Sequence, residues 1–183
     1  MRTLSWTTIG TPAGPLAVGC SDAGLAAVRF GGPPRPAPGG GPGDPRAGQD
    51  EVPARTCAQL SEYFAGQRRV FDLPIDWTVV SRQQYQVLSV LFDSVGYGET
   101  ITYGALARRA GAAADAIALP ARAIGQIMGS NPVPVIVPCH RVVAGNGLGG
   151  FSGGIGPELK RWLLIFEGAL PPTLDWTPAG LPE

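Results

Sequence analysis

Residues 131–143 read Asn-Pro-Val-Pro-Val-Ile-Val-Pro-Cys-His-Arg-Val-Val, an apolar run fenced by three prolines. Each proline fixes its own φ, removes a backbone donor and drives the residue before it toward extended geometry, so this run cannot be a regular helix. A stiff extended segment or a tight turn remains. Either one delivers Cys139 beside His140, the only histidine in the chain.

A thiol attacks as thiolate, and histidine is the side chain whose ordinary pKa lies near neutrality, so the pair reads as a nucleophile with its base. Adjacent side chains on extended chain point to opposite faces, which makes a direct bond awkward and a bridging water the natural link. The competing reading makes Cys139 a small buried hydrophobe in a valine-rich strand. The dipeptide alone leaves both open.

Upstream, short apolar–polar alternations separated by turn signals predict a three-stranded antiparallel meander over residues 3–30. Residues 31–50 carry too few apolar side chains to offset ordering entropy, which predicts a mobile Gly/Pro-rich surface loop. From Val52 to Ala65 the spacing of Ala54, Cys57, Leu60, Tyr63 and Phe64 predicts a helix stopped by Gly66, with Cys57 in a core. Phe71, Leu73, Ile75 and Trp77 alternate as a further strand or extended connector, and a boundary falls near residue 80.

Ser81 is an expected N-cap for a helix carrying Tyr85, Leu88, Val90, Leu91 and Val95 and ending at Gly96. Thr102 caps a short helix through Leu106 and Ala110. After a Gly/Ala-rich link, a second helix starts near Leu119-Pro120, with proline in its first turn, and runs to Met128. Two short helices around a turn suggest a helix-turn-helix. The second is unusual for its small residues: Ala121, Ala123 and Gly125 interleave with Arg122, Ile124 and Gln126. They either pack against another helix or let the backbone approach a narrow minor groove closely. A last helix spans Pro157 to Glu167, with Trp162, Leu163 and Phe166 inward and Gly168 as its stop.

With 183 residues and 44% hydrophobic side chains, the chain holds enough apolar surface for a real core in one ordinary domain or two small ones. No apolar run approaches the ~20 residues of a membrane span, and the amino end lacks a signal-peptide pattern, so a cytoplasmic location is expected. Cys20, Cys57 and Cys139 are widely spaced, which suits neither a disulfide framework nor a metal cluster. Net charge is zero, and residues 81–170 carry seven bases against five acids, so any nucleic-acid face is local. The glycine-rich stretch 144–156 lacks the endings of a phosphate loop.

The pattern Asn-Pro-x-Pro-x-x-x-Pro-Cys-His-Arg-Val at 131–142 resembles the active-site signature of the O6-alkylguanine-DNA alkyltransferases, single-turnover DNA repair proteins. Lys160, Leu163, Leu164, Glu167 and Gly168 match a second family pattern, and Arg122 stands at the family's distance before Asn131, nine residues by count. The resemblance covers residues 81–168 well and 1–80 in outline. It implies an α+β protein with an RNase H-like amino-terminal domain over 1–80, a winged-helix-like DNA-binding and active-site domain over 81–170, and a tail over 171–183. It implies Cys139 as alkyl acceptor, a chain from Glu167 through His140 and water to Cys139, Asn131 bracing the turn, and Tyr103 as hydroxyl donor to the base. Arg122 would fill the space of a flipped nucleotide, with Ala121, Ala123, Gly125 and Arg141 on the DNA side. Met128, Val142, Phe151, Ser152 and Lys160 would line the base pocket. Main-chain carbonyls near Cys139 and Val142 would hold the base. Neither metal nor organic cofactor is required, and the partner is duplex DNA, met by a monomer. The separation of Tyr103 from Arg122 exceeds the family pattern, the excess falling in residues 112–119. Two rivals stand beside this reading: a binding-only relative, which would lack the cysteine, and a thiol hydrolase, which would need a second, distant histidine.

Overall fold

The computed structural model describes residues 4–34, 51–114, 119–149 and 156–172. Most of the expected 31–50 loop, the pocket residues Phe151 and Ser152, part of the long link before Pro120, and nearly all of the tail lie outside the described residues. The chain divides into two compact units between Val79 and Val80.

In the first unit, β1 (Ser5–Thr11), β2 (Gly14–Ser21) and β3 (Gly24–Phe30) form an antiparallel meander in that order. Thr11 Oγ1 closes the first turn, accepting from Ala13 N and donating to Gly14 O, while Gly14 takes φ +92°. Leu16 to Cys20 of the central strand are buried on both faces, so this strand is apolar throughout instead of alternating. Trp6 pairs with Gly19, and a Cβ there would lie 2.9 Å from the indole, so only glycine lets the ring lie across β2.

Helix α1 (Glu51–Phe64) packs on this sheet through Thr56, Gln59, Leu60, Tyr63 and Phe64. Cys57 is only half-buried, a correction to its expected core position: the buried stripe runs along Thr56, Gln59, Leu60 and Tyr63 and leaves Cys57 at its edge. The side chain of Gln59 bonds both backbone groups of Asp72, and Ile75 bridges Leu25. Residues 67–76 are therefore an extended connector, which satisfies its backbone through side chains and one bridge rather than a full ladder.

The second unit starts at Ser81, whose side chain accepts from Gln84 N while Gln84 returns the bond to Ser81 N, a capping box worth roughly 1 kcal/mol at the head of α2 (Arg82–Ser94). Thr102 likewise caps α3 (Tyr103–Ala113), which continues three residues past the expected Ala110 and so absorbs part of the long link. Helix α4 (Ala121–Gly129) begins one residue later than expected: Pro120 has extended ψ and serves as the N-cap, its carbonyl accepting from Ala123 and Ile124. These three helices pack together through Val87, Leu88, Leu91, Leu106, Ala110, Ile124 and Ile127. A two-residue parallel pair, β4 (Ile101–Thr102) with β5 (Val142–Val143), joins the start of α3 to the end of the proline-fenced run. Helix α5 (Pro157–Phe166) buries Leu159, Lys160, Leu163 and Leu164; Trp162 and Phe166, expected inward, are half-buried and stack on each other at 5.2 Å. Among the described residues no helix is long and apolar enough to cross a membrane.

Candidate active site

The proline-fenced run folds into a tight turn. Val137 N donates to Val133 O at 3.0 Å, and Val135 takes φ +74°, a region β-branched residues rarely adopt. Asn131 holds it from inside: its Nδ2 donates to Val137 O at 2.8 Å and its Oδ1 accepts from Val133 N. From this turn the chain enters a single 3-10 turn, Cys139–Arg141, and then β5. Cys139 is thus not on a strand. The alternation that would have sent neighbouring side chains to opposite faces does not apply, and Cys139, His140 and Arg141 are all buried, at 3%, 0% and 5% exposure.

The buried charges close on one another. His140 Nε2 lies 2.9 Å from Glu167 Oε1; Arg141 donates through Nη2 to the same oxygen and through Nε to Oε2, each at 2.9 Å, and through Nη1 to Val95 O at 2.7 Å. Glu167 is the cap residue of α5, and the N–H of Gly98 approaches its Oε2 at 3.5 Å. Burial alone would raise the Glu167 pKa, but the hydrogen bonds and charges of His140 and Arg141 outweigh it and hold the carboxyl well below its usual range. Burial lowers the His140 pKa against the pull of Glu167, and among the described residues its buried Nδ1 has no hydrogen-bond partner. Arg141, expected toward DNA, is instead locked in this interior network, because the 3-10 turn rotates it inward.

Around Cys139, burial pushes the thiol pKa up, while a hydrogen bond from Asn131, the charge of Lys160 and backbone N–H groups act the other way. Lys160 Nζ donates to Val142 O at 2.6 Å and lies 5.6 Å from the Tyr103 ring centroid. Desolvation brings the Lys160 pKa down to about 8. One lone pair of the Val142 carbonyl, expected to hold the base, is thus already engaged. Tyr103 is half-buried, and burial followed by the nearby Cys139 raises its pKa, so the hydroxyl keeps its proton. Gly149, at φ +71°, and Gly125 flank the Tyr103 ring; a Cβ on Gly149 would come within 2.9 Å of it.

On α4, Ala121, Arg122 and Gln126 are exposed and Ala123 and Gly125 half-buried, whereas Ile124, Ile127 and Met128 form the inward stripe. Met128 therefore belongs to the helix's core face. Among the described residues no group of three or more His, Cys, Asp or Glu is placed to hold a metal ion.

Two family models match this chain: the 6-O-methylguanine DNA methyltransferase ribonuclease-like domain over residues 4–77, and the DNA-binding domain of the same family over residues 82–169. The chain belongs to the 6-O-methylguanine DNA methyltransferase family. Among this family's curated members, the DNA base-flipping protein of Thermus thermophilus is 38% identical over 87% of this chain and 97% of its own. The methylated-DNA–protein-cysteine methyltransferase of Rattus norvegicus is 34% identical over 90% and 82%. The crystal structure of Mycobacterium tuberculosis O6-methylguanine methyltransferase superposes with TM-score 0.73 at 33% identity, over 94% of this chain and 98% of that one. A structure of the same organism's OGT in complex with DNA gives 0.71 at 32% identity, over 90% and 93%.

Within this methyltransferase fold, Cys139, His140, Asn131, Tyr103, Lys160, Val142 and Glu167 come together around one turn. Reasoning from sequence missed two contributors. The inward role of Arg141 depends on a 3-10 turn that a run of valines and prolines does not announce. The approach of Gly149 to Tyr103 had its only signal in a glycine-rich stretch, which is compatible with many uses.

Proposed function

We propose that this protein repairs DNA by moving the alkyl group of O6-alkylguanine onto its own Cys139, once per molecule, with residues 81–170 carrying DNA binding and chemistry and residues 1–80 supporting them. The observation that carries this reading is the buried sequence of groups Cys139, His140 and Glu167, held on a turn braced by Asn131, in a chain of this family.

The alkylated base lies inside the duplex, so a buried thiol meets it only after the nucleotide is extruded, at a cost of a few kcal/mol. Arg122 on the exposed face of α4 offsets part of that cost by occupying the gap, and the small residues Ala121, Ala123 and Gly125 let the helix approach the minor groove. Phosphate contacts make binding salt-dependent and nearly sequence-independent. In the pocket, the Cys139 proton passes through water to His140 Nδ1. The thiolate attacks the alkyl carbon; the S–C bond forms as the C–O6 bond breaks, and the electron pair stays with guanine, helped by the Tyr103 hydroxyl at the purine. The positive charge of Lys160 favours the thiolate. The product thioether is a poor leaving group, so the protein is consumed. A duplex carrying O4-alkylthymine tests whether that base is a second substrate of the same pocket. The reaction needs no cofactor, and we place the protein as a cytoplasmic monomer.

The base-flipping name of the Thermus relative favours a second reading, recognition of damage without transfer. A thiol hydrolase is disfavoured because His140 is the only histidine. Intact mass after incubation with a duplex containing O6-methylguanine separates them. Transfer adds about 14 Da on Cys139, limited to one equivalent, and Cys139→Ser gains nothing. Tight binding of the modified duplex without any mass gain by the wild type would replace transfer with recognition.

A further inference from the structure

We infer that Arg141 is a positioning residue: by clamping both carboxylate oxygens of Glu167 it decides which ring nitrogen of His140 carries the proton and keeps that ring free to accept another. The inference deepens the transfer reading above and rests on it for its kinetic consequence.

The geometry begins at Glu167. Oε1 receives Arg141 Nη2 and faces His140 Nε2, and Oε2 receives Arg141 Nε, all at 2.9 Å. A carboxylate held as an anion can only accept, so the atom facing it, His140 Nε2, must bear hydrogen. In a neutral ring Nδ1 is then bare. Among the described residues Nδ1 is the buried ring atom without a hydrogen-bond partner, and it is the one left to take a proton from Cys139. A bidentate fork also stops the carboxylate from rotating, which a single hydrogen bond would not.

The second effect is electrostatic. His140 and Glu167 have 0% side-chain exposure, so without a counter-charge a buried carboxylate beside an imidazole would draw a proton onto the ring. An imidazolium cannot serve as base. The guanidinium supplies the missing positive charge, and its third anchor on Val95 O at 2.7 Å fixes it in place. Among the described residues the other titratable neighbours have roles of their own. Lys160 of α5 is bound to Val142 O and, like Arg141, opposes protonation of the ring. Cys139 is the proton's source. The Tyr103 ring of α3 lies 5.6 Å from Lys160 Nζ, and Glu99 in the loop after α2 accepts from Gly96 N. Removing Arg141 thus leaves Glu167 as the dominant neighbour, and the ring's affinity for a proton rises.

His140 is the only histidine, so ¹⁵N-histidine labelling gives a single imidazole. The wild-type ring is expected to be neutral and Nε2-protonated at pH 7. In Arg141→Gln its titration moves up by about one pH unit or more, and the acid limb of the transfer rate moves with it, a loss that grows to about tenfold on the acid side of both titrations and disappears at higher pH. Arg141→Lys restores the titration in part, since it returns the charge but not the fork. A wild-type ring protonated on Nδ1, or charged at pH 7, would overturn the inference by itself, even if the variants fail to fold. So would an Arg141→Gln protein that loses rate equally at every pH with its ring titration unmoved. A wild-type protein with the neutral Nε2-protonated ring and no alkyl transfer would sink the transfer reading while leaving control of the ring by Arg141 standing.

Discussion

Around the Cys139–Arg141 turn, His140, Arg141 and Glu167 are sealed from water and bonded to one another, whereas a short way up the chain the outer face of α4 leaves Ala121, Arg122 and Gln126 in solvent. Both regions carry functional candidates, yet they are built on opposite principles. In the buried turn each charge is tolerable only because its partners are fixed, so geometry and stability are one property. On α4 the inward stripe of Ile124, Ile127 and Met128 supplies the stability, and the outer residues are free to be small or basic. Chemistry that needs a proton placed on one atom uses the first arrangement; contact with a long, variable polymer uses the second.

The comparison breaks most visibly at Glu167. Glu167→Ala removes the shared acceptor of His140 and Arg141 and leaves a buried guanidinium unpaired, an expected loss of about 3–5 kcal/mol in chemical denaturation. The same site gives a pH signature. Because the folded-state pKa of Glu167 is depressed below its ordinary 4.5, its contribution is fully present above that pH and is lost as pH falls below it. Wild-type stability is therefore expected to drop on acidification more steeply than that of Glu167→Gln. Parallel acid dependence in the two proteins would show the carboxylate to be less tightly held than its bonds indicate.

On the other side of the comparison, Arg122→Ala is expected to weaken binding and transfer on alkylated duplex by roughly 1–3 kcal/mol, on the scale of the unstacking it helps to offset, with an unchanged melting temperature. A large fall in melting temperature would mean that α4 is not the simple exposed surface described. The smallest effect is expected between the two regions. Gln84 closes the capping box of α2 and also donates to Ser130 at the end of α4 at 2.9 Å, so Gln84→Ala should cost about 1 kcal/mol of stability and leave the His140 titration untouched.

Much of this was legible from residue order. Ser81 and Thr102 cap the helices they were expected to cap, and the meander and the helix pair stand where periodicity put them, because these are local effects with local signals. Cys57 shows the limit of periodicity: neighbouring positions compete for the buried stripe, and sheet packing chose Thr56 and Leu60. The two-residue pairing of β4 with β5, which brings Tyr103 toward the Cys139 turn, is too short to leave any periodic trace.

By itself the sequence determined that residues 131–143 form no α-helix, that Cys139 sits beside the single histidine, and that the second helix of the pair is lined with small residues. Proline stereochemistry and composition act within a few residues, so tertiary packing cannot undo them. What only the tertiary structure decided is direction. Whether Arg141 faces DNA or Glu167 depends on a 3-10 turn held by Asn131 and on the end of α5 arriving from 26 residues away. A buried charge goes where its partner is, and the partner's position is a property of the folded chain.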